Sequence, residues 1–132
     1  MRYDLRVLPN GLAICKLGLI NPDQPDTDIG VSALVDTGAE FSILCQSVYG
    51  QLVIDPKKVS QVGLQTTIGK EIITAYPLLV KAPWNNWSQV NITFGIRDLT
   101  ERIEYRAIMG LDILKDFKFY FDGVQGLAWL DD

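Results

Sequence analysis

A chain of 132 residues with 48% apolar content can build one domain with its own core and lacks the composition of a disordered chain. Its 12 basic and 16 acidic residues leave a formal net charge of -4, which argues against the basic face that a nucleic-acid backbone requires. It has no histidine, so Ser-His-Asp triads, Cys-His pairs and histidine-containing zinc sites are excluded.

The first residues do not make a convincing signal peptide, because Asp4, Arg6, Pro9, Asn10 and Lys16 break the apolar stretch. No apolar run reaches the length of about 18 residues that a membrane span needs, so no membrane partner is expected. The expected setting is a reducing cytoplasm. There Cys15 and Cys45, which lack CxxC spacing, read as buried reduced thiols. Tyr3, Leu5 and Val7 alternate with polar residues as a strand, and Asn10-Gly11 marks a tight hairpin turn into a second strand over 12–20. Residues 21–28, with two prolines and three aspartates, read as an exposed loop. The nearly continuous apolar run over 29–35 predicts a strand buried on both faces.

After Asp36-Thr37-Gly38 comes a short apolar segment over 41–44, and Ser47 is placed to cap a helical turn running to Leu52. Residues 58–80 form two strand-like runs interrupted by Gly63 and Gly69, the pattern of a long hairpin with either glycine at its tip. The segment 83–87, rich in Trp and Asn, reads as a packed surface turn, with a recognition loop of exposed aromatics as the alternative. With no convincing signal peptide in the sequence, the sequons at Asn86 and Asn91 read as chance. Val90, Ile92, Phe94 and Ile96 alternate onto one face, and 103–109 predicts another strand. Leu111, Leu114 and Phe117 have helical spacing. Phe117, Phe119 and Phe121 then alternate as a strand, Asp122-Gly123 turns, and 127–130 is the last strand. Many short strands with frequent turns define an all-β barrel or sandwich, with one domain over 1–132.

Asp36 carries the chemistry. An acid at the end of an apolar strand is commonly a turn residue. It becomes a catalyst when a second carboxylate lies close by. Two such groups cannot both ionise cheaply and so share one proton. One then acts as general base on water while the other donates to a substrate carbonyl. Leu34 and Val35 would anchor the acid, Thr37 would tie the turn through its hydroxyl, and Gly38 would bring its N–H close. Ala39 leaves room, and Ser42 would bond to the loop. Asp112 reads most simply as an acid favoured at a helix N-terminus, and Asp131-Asp132 as a solvated end.

The decapeptide from Ala33 to Ser42 resembles the active-site signature of the retroviral-type aspartic proteases, and Ala107-Ile108-Met109-Gly110 leading into Leu111-Asp112-Ile113-Leu114 resembles the family's second landmark. The resemblance covers about residues 29–130, with the landmarks in the family's order. It implies a retropepsin-like closed barrel, one lobe per chain, with one short helix near the C-terminus. With a single Asp-Thr-Gly, the working enzyme would be a homodimer that pairs two Asp36 carboxylates and hydrolyses polypeptides without metal or cofactor. Thr37 would lock to its twin across the axis, with Gly38 and Ala39 supporting the loop. Glu40 would meet substrate main chain, and the hairpin with Gly63 and Gly69 would close over the peptide. Two departures stand out. Leu111 occupies the position where retroviral members carry a dimer-bracing Arg, and residues 1–28 have no clear counterpart. That extension would add interface strands, cover an edge, or act as a pro-segment. The alternative function is a catalytically silent dimerisation or peptide-binding module on the same fold. Bacterial and retroelement origins both fit.

Overall fold

The computed structural model describes residues 2–26, 28–82, 88–99 and 103–131. Among them it forms eleven strands and two four-residue α-helices, the expected all-β lobe. The run from Tyr3 to Val7 is not one strand. It divides into β1 (Arg2–Asp4) and β2 (Arg6–Val7), which join different sheets. Between them Leu5 is buried and donates its N–H to the Ala128 carbonyl at 2.9 Å. The turn at Asn10-Gly11 is present, with Gly11 at a φ of +89° that a side chain would strain.

β3 (Ala13–Ile20) pairs antiparallel with β4 (Asp28–Val35), and β4 pairs parallel with β9 (Ala107–Met109). β9 lies against β5 (Ile43–Cys45), which runs parallel to β8 (Ser88–Arg97). β8 pairs with β7 (Gly69–Lys81), and β7 returns to β3 through Leu19↔Val80. Those six strands close a ring around Leu17, Leu19, Leu44, Leu78, Phe94 and Met109. Closure leaves these strands no free edge in the ring. Residues 13–20 are thus a stave of the barrel, not a detached extension.

Several expectations change with the packing. β4 is not buried on both faces: Val31 and Ala33 face the core, while Leu34 packs outside with Leu8, Ile14 and Tyr105. The strand expected over 103–109 shortens to β9, whose three residues lie between β4 and β5. Ile103 is left 79% exposed. In β8, Ile92 and Phe94 are buried as expected. The ladder slips between Leu78 and Val80, however, and Asn91 takes a φ of +58°. Residues 83–87, with the Asn86 sequon, and Asp132 lie outside the described residues.

α1 (Gln46–Tyr49) is the expected helical turn, but it starts earlier than Ser47: Cys45 is its N-cap, with no side-chain capping bond. Ser47 instead sets its hydroxyl 3.2 Å from the Cys45 sulfur. The later helix, α2 (Leu111–Leu114), is where its spacing placed it. The chain ends in β10 (Lys118–Asp122) and β11 (Leu127–Asp131), which make a second sheet in the order β1-β11-β10. Phe117 and Phe119 pack on the core, but Phe121 is exposed. Asp131, half-buried, is the last residue of β11. Trp129 stacks on Tyr120, and Arg2 lies 3.9 Å from a Trp129 ring centroid. Both cysteines are free and buried. Among the described residues no helix is long and apolar enough to cross a membrane.

Candidate active site

The parallel pairing of β4 with β9 brings the two sequence landmarks side by side. Val35 lies opposite Met109, and the ladder continues as Asp36 donates its N–H to the Met109 carbonyl at 3.0 Å. Beyond it the chain turns. Gly38 N–H donates to Asp36 Oδ1 at 2.9 Å, and a Cβ on Gly38 would lie 3.2 Å from the same oxygen. A side chain at position 38 would therefore crowd this oxygen. One carboxylate oxygen is thus oriented by the backbone. The other makes no hydrogen bond among the described residues, which leaves it open to water or a partner acid. Thr37 is exposed, and its hydroxyl makes no hydrogen bond among the described residues. Within the chain the turn is tied by the Gly38 N–H, as the sequence reading placed it.

The rest of the loop is strapped to the second landmark. Leu111 N–H donates to the Ala39 carbonyl at 2.8 Å. Ser42, fully buried, receives the Gly110 N–H on its Oγ at 3.1 Å and donates that hydroxyl to Asp112 Oδ1 at 2.7 Å. Asp112 Oδ2 also accepts the Ser42 N–H at 2.9 Å. Asp112 does sit in the first turn of α2, but its carboxylate is occupied by the loop. Its sequence reading as a dipole-favoured acid missed that role. At Gly110 a Cβ would meet backbone atoms of Phe41 at 2.7 and 2.8 Å, so no larger residue fits without moving the loop.

A groove of about 610 Å³ opens over this turn. Asp36, Gly38, Ala39 and Glu40 form one side, and Phe41, Ile43 and Ile108 supply apolar floor. Gly63, Leu64, Gln65 and Lys70 line it from the hairpin of β6 (Ser60–Thr66) and β7, and Arg97 from the end of β8. The hairpin register resolves its tip. Thr66 pairs with Gly69 across a two-residue loop, and Gly69 has a φ of +132°. Gly69 is at the tip, whereas Gly63 is a strand residue opposite Ile72. The base of the hairpin packs over Gly95, where a Cβ would fall 2.6 Å from Ile73 Cδ1. Gly95 was not singled out from sequence, although a glycine inside an alternating strand is a signal of close approach. Lys70 and Arg97 carry no such local signal.

No protein-family model and no curated protein sequence matches the chain. Solved structures do match its backbone. A retropepsin-like aspartic protease from Rickettsia conorii matches with a TM-score of 0.69 at 19% identity, over 98% of this chain and 89% of that one. EIAV protease, in complex with the inhibitor HBY-793, matches with a TM-score of 0.56 at 19% identity, over 82% of this chain and 89% of that one. The fold is therefore retropepsin-like, in a single lobe.

Proposed function

We propose that the protein is an aspartic endopeptidase that works as a homodimer, each chain contributing one Asp36. The observation that carries this reading is the placing of Asp36. It sits at the mouth of a groove with one oxygen held by Gly38 N–H and the other open. A second Asp36 brought against it would share its proton. The ionised member takes a proton from water as the oxygen attacks the scissile carbonyl, and the protonated member donates to the carbonyl oxygen. Collapse of the tetrahedral species breaks the C–N bond and transfers a proton to the leaving amine. The substrate would lie extended between hairpin and floor, bonded through its main chain. Thr37, exposed beside Asp36, is the residue we assign to the contact between the two loops, and Glu40 to substrate main chain.

The test is cleavage of a peptide library, read by mass spectrometry from acid to neutral pH, for the native protein and Asp36→Asn side by side. Cleavage by the native protein alone is the expected result. Equal cleavage by both would overturn the mechanism. Peptide binding without cleavage, at concentrations where the dimer is shown to exist, would establish the silent binding module instead.

A further inference from the structure

An ion pair joins the hairpin to the barrel at the point where their strands part. The ladder between β7 and β8 ends at Ala75↔Gly95. Beyond it β7 continues with β6 alone to Gly69, and β8 continues beside β5, with Cys45 opposite Arg97. Across this fork Arg97 Nη2 lies 3.2 Å from Glu71 Oε2. Arg97 also lines the groove. Counting from the tip, Ile73 is the first buried residue of β7, and Ile72 and Ile68 are 70% and 97% exposed. Residues 69–72, the outer four of β7, are exposed, so apolar burial does not hold them and polar contacts help set where they rest.

We propose, on the reading of the site as a protease, that Arg97 is a positioning residue. Through Glu71 it sets the height of the hairpin over the Asp36 groove and so how firmly a peptide is held. An exposed ion pair is weak. That strength suits a contact that must break and reform as substrate enters and product leaves. It also makes the contact sensitive to salt.

The cleaner probe is Glu71→Gln, since Glu71 is not part of the groove wall whereas Arg97 is. With a peptide taken from the library, this variant is expected to raise KM by about two- to five-fold with little change in kcat. The KM of the native protein should rise with added salt, and that rise should be blunted in Glu71→Gln. Hydrogen exchange of amides 63–72 should quicken in Glu71→Gln and slow again in the exchanged pair Glu71→Arg with Arg97→Glu. Native-like exchange in the single variant, or no recovery in the exchanged pair, would overturn the proposal. If the native protein cleaves nothing, the protease reading falls, and the exchange comparison alone still decides whether the pair holds the hairpin.

Discussion

Asp112 holds Ser42 with both carboxylate oxygens, one on the backbone N–H at 2.9 Å and one on the hydroxyl at 2.7 Å, across 70 positions of sequence. This grip ties the loop that begins at Asp36 to the helix that follows β9. The position of the acid is thereby referred to two strands of a closed barrel, which preorganises it.

Removing the Ser42 hydroxyl should therefore loosen the site and the fold together. Ser42→Ala leaves the buried Gly110 N–H and one oxygen of the half-buried Asp112 without their partner. The expected cost is about 1–3 kcal/mol. Thermal melts should show a Tm lower by several degrees. Asp112→Asn keeps an acceptor for only one of the two Ser42 donors and turns an amide NH2 toward the other, so it should cost at least as much.

Two glycines near the groove should respond in opposite ways. Gly110→Ala pushes a methyl to within 2.7 Å of Phe41 backbone, which cannot move without shifting the Asp36 loop. A loss of about 1–3 kcal/mol is expected, with a matching loss of cleavage. At Gly63 a Cβ meets nothing within 4 Å, so Gly63→Ala should leave Tm close to native. Chemical denaturation of both variants checks the contrast.

Deleting residues 1–28 should abolish the fold, not activate a precursor. The deletion removes β3, with Cys15, Leu17 and Leu19 at 0–2% exposure, and opens the barrel between β4 and β7. Loss of chemical-shift dispersion in the truncated chain is the expected readout. A folded, cleaving truncation would instead identify the extension as a pro-segment.

Burial pushes the Cys15 thiol up to about 12 from an ordinary value of 9.0. The native state thus keeps this proton where the unfolded chain has lost it. The resulting stability is fully present below about pH 9 and is lost as pH rises toward 12. Cys15→Ala should flatten that part of the alkaline stability curve, measured by denaturant midpoints across pH, while lowering stability at neutral pH through the cavity it leaves.

Much of the site was legible in local sequence because its signals are local. An apolar run ending in Asp36, a glycine two positions on, and a second apolar strand stopping at Gly110 each report a backbone need that a few residues can meet. The helix at Leu111, the turn at Asn10-Gly11 and a hairpin within 58–80 follow from spacing and turn glycines, while the choice of Gly69 over Gly63 at its tip came only with the strand register. Other features had no local sign. Nothing near Asp112 marks it as the partner of Ser42, and nothing near Glu71 points to Arg97. The split of 2–7 between two sheets depends on where Ala128 lies, and the shortening of 103–109 to three residues depends on how that segment pairs between β4 and β5. Periodicity and turn chemistry act between near neighbours along the chain. Hydrogen-bond partners, strand length and the closing of β7 onto β3 depend on which distant segments the barrel brings together, and so were decided only in the tertiary structure.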